Sequence, residues 1–291
     1  MSSNIKGREV LVALAQRFPQ LYVAPAEGAQ EAHRDASGYG VAPEGATLDH
    51  FARSDEDELR EVDTPAGPID VVFLKQREDF ETFLQIVGHK SQPVPIDRTV
   101  GAITYRGLPD WGAVEDARQA YIAAGGDDWV GEFNKLARQP GMFRAEIIVI
   151  SEGPYSNVPA YDTPYDDAEW IDVSREIRLN HECAHVVCRR TMPADIVPVW
   201  DEVTADVTGL LCATGNYDAI LAARFLGITP TGYAGGRLAE YLDDAQKQSI
   251  DQIASEIYAT LERIEERADE DAVEAPYDFL LELKRHPLLT F

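Results

Sequence analysis

The sequence predicts an α+β protein, with a mixed α/β N-terminal lobe carrying a small sheet over residues 1–143 and a helical lobe over residues 144–291. Three observations carry this expectation. Apolar, β-branched runs stand at residues 69–74 (IDVVFL), 99–105 (TVGAITY) and 145–151 (AEIIVIS). Beyond residue 172 the apolar residues recur at helical spacing. With 291 residues, 45% of them hydrophobic, the chain is long enough to bury a core in each part.

The elements follow in order. A helix over 7–17 gathers Val10, Leu11, Leu14 and Ala15 on one side, and Gly/Ala/Pro-rich chain to about residue 46 reads as loop. A helix over 79–87 separates the first two strands, and helices over 111–124 and 129–138 flank the breaker Gly125-Gly126. Strand 145–151 opens the second lobe. Residues 153–172, rich in Pro, Asp and Tyr, read as an irregular loop, and helices follow at about 173–190, 199–214, 217–225, 237–268 and 277–284.

Composition excludes several classes of partner. The 51 acidic residues against 26 basic ones leave a net charge of -25, which repels phosphate backbones and anionic membranes. Three cysteines are an odd number without a disulfide framework, and the first residues lack the uninterrupted apolar segment of a signal peptide. No nucleic acid, no membrane and a reduced, cytoplasmic setting are therefore expected.

The chemistry is concentrated in Asn180-His181-Glu182-Cys183-Ala184-His185, which contains H-E-x-x-H. On a helix, positions i and i+4 lie one above the other, so His181 and His185 can offer two imidazole nitrogens to one ion. Catalytic zinc takes such ligands and keeps one position for water, whose proton the adjacent Glu182 can accept. With six His in the chain, chance supplies roughly 0.01 matches to this pattern. Val173, Ile177, Ala184 and Cys188 give the helix an apolar stripe, and Pro193 stops it. Past Pro198, Asp201-Glu202-Val203-Thr204-Ala205-Asp206 offers Glu202 as a third ligand. Asp206, at i+4 from it, can accept the distal N–H of a ligand histidine. Gly209 continues that face and allows a close approach of the two helices.

HECAH followed by DEVTAD resembles the gluzincin, thermolysin-like branch of the zincin metallopeptidases, which pairs H-E-x-x-H with a later helix reading roughly N-E-x-x-S-D. The HECAH helix is also similar to that of an otherwise uncharacterised bacterial family, and the rest of the chain resembles no characterised peptidase; the gluzincin resemblance covers about residues 173–215. It implies one Zn2+ per chain on His181, His185 and Glu202, Glu182 as general base, and Asp206 behind a ligand histidine. Asp201 stands where that family often has Asn, and Ala205 where it has a small polar residue. It also implies an edge strand before the active helix to which an extended peptide could add, which places 145–151 in that role. In the Gly-Pro-Tyr-Ser-Asn stretch after it, Tyr155 and Asn157 become candidate substrate contacts, and Tyr233 or Arg237 in a flexible turn becomes the candidate donor to a developing oxyanion.

The expected activity is that of a zinc-dependent hydrolase, a metallopeptidase acting on peptide or protein substrate. Two alternatives stand beside it: a metal-dependent hydrolase or maturation enzyme dedicated to one partner, and a non-catalytic module with a structural zinc. The sequence does not give the oligomeric state.

Overall fold

The computed structural model describes residues 4–192 and 197–289. The architecture is α+β, as expected, and its described residues fall into two compact units. The first comprises residues 4–62, 69–97 and 103–151, the second 63–68, 98–102, 152–192 and 197–289.

In the first unit the chain runs through strand β1 (Ile5–Lys6), helix α1 (Glu9–Arg17), a 3-10 turn (Pro19–Tyr22), α2 (Gln30–Tyr39), β2 (Glu58–Val62), β3 (Ile69–Leu74), α3 (Arg77–Val87), β4 (Ala102–Pro109), α4 (Trp111–Ala123), α5 (Trp129–Leu136) and β5 (Arg144–Ser151). The stretch expected as loop up to residue 46 thus contains α2, which buries only His33 and Ala36 and so shows little apolar periodicity. The five strands form one sheet in the order β1-β2-β3-β5-β4. β1, β2 and β3 pair antiparallel, and β3 pairs parallel with β5, Val72 opposite Val149.

β5 is therefore an interior strand, and the edge-strand expectation is corrected. The run Ile147–Ile150 is buried throughout, which is the near-continuous apolar pattern of a strand covered on both faces. Its hydrogen-bonding sides are taken by β3 and β4. The boundary expected before residue 144 lies after Ser151, because β5 completes the first unit's sheet.

The second unit carries α6 (Asp167–Thr191), α7 (Pro198–Thr214), α8 (Ala219–Leu226), a hairpin of β6 (Ile228–Thr229) and β7 (Gly232–Tyr233), 3-10 turns at Arg237–Glu240 and Gln246–Ser249, then α9 (Ile250–Glu265), α10 (Glu270–Glu274) and α11 (Pro276–Arg285). α6 starts earlier than its apolar stripe suggests because Asp166 and Glu169 form a capping box that satisfies the first backbone N–H groups. The helix stop assigned to Pro193 lies outside the described residues. The long helix expected over 237–268 is broken. Asp243 accepts from the backbone N–H groups of Ala245 and Gln246, an alternative to helical bonding that delays α9 to Ile250.

α6 and α7 run antiparallel: the contacts Ile177–Gly209, His181–Asp206 and His185–Asp201 climb one helix while descending the other. Trp170, Ile177, Val203, Val207 and Leu210 join Phe225, Ile257 and Leu261 in the core of this unit. The helices pack tightly at Gly209, where a Cβ would lie 2.8 Å from the Ile177 carbonyl oxygen. Among the described residues, no helix is long and apolar enough to cross a membrane.

Replacing Gly209 with Ala sets a helix-propensity gain of about 1 kcal/mol against an overpacking cost of about 1–3 kcal/mol. The obstacle is backbone and cannot rotate away, so the variant is expected to melt at lower temperature than the native protein. An unchanged or raised Tm would show that the two helices separate without cost.

Candidate metal centre

One stripe of α6 holds the segment that precedes it. Trp170 Nε1 donates to the Val158 carbonyl at 2.7 Å, Ser174 Oγ accepts from the Tyr155 amide at 2.9 Å, and the Arg178 guanidinium donates to the carbonyls of Gly153 and Pro154 at 2.5 and 2.7 Å. Ser156 and Asn157 both take left-handed backbone, φ 52° and 57°, so the chain turns sharply after Tyr155. Tyr155 consequently points inward and is buried, while Asn157 is exposed.

The adjacent stripe of α6 carries His181 and His185 against α7. Their Nε2 atoms are 3.1 Å apart. Glu202 presents one carboxylate oxygen to each, Oε2 3.5 Å from His181 Nε2 and Oε1 3.5 Å from His185 Nε2. The three expected ligand residues thus offer donor atoms that all lie within 4.8 Å of one another.

Each histidine is turned by a carboxylate behind it. His181 Nδ1 lies 2.8 Å from Asp206 Oδ1, and His185 Nδ1 lies 3.0 Å from Asp201 Oδ2. A carboxylate only accepts, so each Nδ1 carries the hydrogen and each Nε2 of a neutral ring is left with its lone pair. Two lone pairs and an ionised carboxylate then face one point, an arrangement stable only with a cation or a proton there. The donor set of two imidazoles and one carboxylate fits a divalent metal such as zinc.

Around Asp206 the charge is balanced. Arg237 donates to Asp206 Oδ2 at 2.6 Å and the Tyr155 hydroxyl donates to Oδ1 at 2.5 Å. Arg237 reaches this place because α8 and the chain after β7 approach through glycines: a Cβ on Gly227 would sit 2.0 Å from the Gly235 carbonyl oxygen. Its Nε also donates to the Phe225 carbonyl at 3.2 Å.

The electrostatics follow from this packing. Burial works against charge on His181, yet hydrogen bonds and charges from Asp206 and Glu202 prevail and raise its pKa to about 10. Burial likewise pushes the Glu202 carboxyl up, but the two histidines and Arg237 bring it down to about 2. Asp201 is pulled below the usual carboxylate range by His185 and Lys284 despite burial, and Asp206 by Arg237 and His181. Burial, reinforced by its hydrogen bond to Glu202, pushes the Tyr241 hydroxyl up and keeps it a donor to that carboxylate.

The remaining expected residues are placed differently. Glu182 is half-buried on α6, beside His181 in sequence. Tyr155 stands behind His181 as a partner of Asp206, not as a substrate contact, because the clamp from α6 turns it into the core. Arg237 is likewise committed to Asp206. The Tyr233 hydroxyl is spent within its own turn, donating to the Gly236 carbonyl and accepting from the Gly236 amide, both at 2.8 Å. Asp201, Lys284 and Tyr241 are site residues that sequence reasoning missed. Asp201 had a signal, since it departs from Asn beside a ligand; Lys284 and Tyr241 have none, since only the tertiary fold brings them to α7. The cysteines Cys183, Cys188 and Cys212 are free thiols, the first two buried.

A family model matches residues 3–289. The chain belongs to the family of unknown function DUF7005. No curated protein and no solved structure matches the chain. In this DUF7005 chain the candidate metal centre is the cluster of His181, His185 and Glu202.

The metal-free centre has a pH signature. His181 binds its proton more tightly in the fold, with a pKa near 10, than at its ordinary 6.5, so the stability it contributes is full below 6.5 and is lost as pH rises toward 10. In the presence of a chelator, Tm is expected to fall across that interval. The His181→Gln variant, lacking the group, should show a flatter profile; parallel profiles would refute the assignment.

Proposed function

We propose that this protein is a zinc-dependent hydrolase, in the first place a metallopeptidase, with His181, His185 and Glu202 holding the ion. One observation carries the reading: two imidazole Nε2 atoms 3.1 Å apart, each oriented by a carboxylate on its Nδ1, converge with both oxygens of Glu202. The resemblance of HECAH and DEVTAD to the gluzincin motifs supports it. Three protein donors in the cluster, among the described residues, suit a catalytic centre better than a structural one, which takes four. When bound, zinc would supply Lewis acidity, making a water more acidic and a scissile carbonyl more electrophilic.

The protein's own side chains do the rest. Glu182 accepts a proton from the attacking water on its carboxylate and returns it to the leaving amine. Asp206 and Asp201 fix the histidine tautomers, and Tyr155 and Arg237 fix Asp206. The Tyr241 hydroxyl steadies Glu202. Tyr233 takes no part, since its hydroxyl is bound to Gly236.

A second reading lies within the same chemistry: a hydrolase dedicated to one folded partner or to another amide. β5 is hydrogen-bonded on both sides, so an extended peptide adding to this sheet would need one of its edge strands, β1 or β4. A screen of mixed peptides with zinc-loaded protein separates the two readings: cleavage supports the peptidase, and its absence with hydrolysis of a partner supports the second.

Purified protein should contain one zinc per chain, and His181→Ala should lose it. Glu182→Gln should keep the zinc while hydrolysis falls by about 100-fold or more, the contribution typical of a general base. Metal analysis and turnover measured on the same preparations check both, and undiminished hydrolysis by Glu182→Gln would sink the mechanism.

A further inference from the structure

Lys284 lies on α11 with its side chain only 2% exposed, and its ammonium donates to Asp201 Oδ1. The other oxygen of that carboxylate takes His185 Nδ1 at 3.0 Å. Leu280, one turn before it on α11, belongs to a small buried apolar cluster with Ala184, Cys188 and Ala205. A buried ammonium is costly, and an aliphatic residue of similar length would fill the same space without that cost. The lysine therefore calls for a reason beyond packing.

Position 201 supplies one. The gluzincin motif often has Asn there, a neutral acceptor that leaves no charge to balance. Here an aspartate adds a third carboxylate to the stretch of α7 that already carries Glu202 and Asp206. Asp206 has Arg237 as its counter-ion at 2.6 Å. Asp201 has Lys284, brought from a distant helix.

We propose that Lys284 is a positioning residue of the metal centre: it holds Asp201 in the orientation that aims His185 at the ion, and it is required because residue 201 is charged. This rests on the metal reading above. If it holds, the need for Lys284 vanishes when Asp201 is made neutral. A lysine that merely pins α11 to α7 would be needed with either residue.

The test compares the full-length native protein with Lys284→Met, Asp201→Asn and the double variant Asp201→Asn/Lys284→Met. Zinc dissociation constants come from chelator competition, ligand geometry from the visible spectrum of the Co2+-loaded proteins, and folding from melts of the metal-free forms. Lys284→Met alone is expected to weaken zinc binding about 10-fold or more, as loss of a residue behind a metal ligand does, and to alter the Co2+ spectrum. In the double variant Asn still accepts from His185 and no charge is stranded, so binding should return to within about twofold of Asp201→Asn, the scatter of non-interacting changes.

Binding by Lys284→Met within about twofold of native, or a loss that persists undiminished in the double variant, overturns the proposal. If Lys284→Met fails to fold, recovery of folding and zinc binding in the double variant supports it, and failure of both makes Lys284 a structural pin. Folded native protein that takes up no zinc overturns the metal reading, and this inference with it.

Discussion

Two imidazole nitrogens held 3.1 Å apart, each with its other nitrogen committed to a carboxylate, set the terms for the helical unit. Such donors do not converge by default, because their lone pairs repel one another and the Glu202 carboxylate. They are held in place by a close helix contact that only glycine at 209 permits and by a segment clamped along α6 that delivers Tyr155. A proton or a metal relieves the repulsion, which is why His181 holds its proton so tightly in the metal-free form.

Charge explains the choice of supporting residues. Asp201, Glu202 and Asp206 stand close together on α7, in a chain whose acids outnumber its bases by 51 to 26. On an exposed face such a group would be commonplace. Here Asp206 is buried and Asp201 and Glu202 are largely covered, and Arg237 and Lys284, both from later elements, are brought in against them. Buried ion pairs contribute little net stability, since desolvation offsets most of their attraction. Retaining two of them around one set of imidazoles is better understood as a requirement of the site than as a device of folding.

What the sequence shows and what it hides follow the range of the interactions involved. The pairing of His181 with His185, and of Glu202 with Asp206, is written in i, i+4 spacing, so the candidate ligands are legible in local helical geometry. Strands 69–74 and 145–151 are legible in their β-branched runs, but their neighbours in the sheet are not, so the sequence does not tell that β5 is interior. α2 escaped notice because only His33 and Ala36 turn inward, and the break after Asp243 because a side chain competes there for backbone donors. Tyr155, Arg237 and Lys284 share one obscurity: each meets α7 only through tertiary packing. A sequence pattern could mark Tyr155 and Arg237 as chemically able, but not say whether they face a substrate or an aspartate.

The two arms of the centre differ in their access to water, and that difference bears on the proposed hydrolysis. On the His181 arm the histidine side chain is 8% exposed and Asp206 3%, sealed by Tyr155 and Arg237; on the other arm His185 is 16% exposed and Asp201 30%, with Glu202 at 20%. Both arms orient their imidazoles equally well, so orientation does not require the second to be open. A hydrolytic centre does require it, because water and a substrate carbonyl have to reach the ligand side of the histidines, and the base that takes the proton has to meet them there. Glu182 is half-buried, unlike the sealed Asp206, and so retains the partial solvent contact that the proposed role of base would need. The His181 arm is thus the sealed one and the His185 arm keeps partial contact with water, a contrast that the proposed hydrolase would use, with rigidity drawn from the first and access from the second.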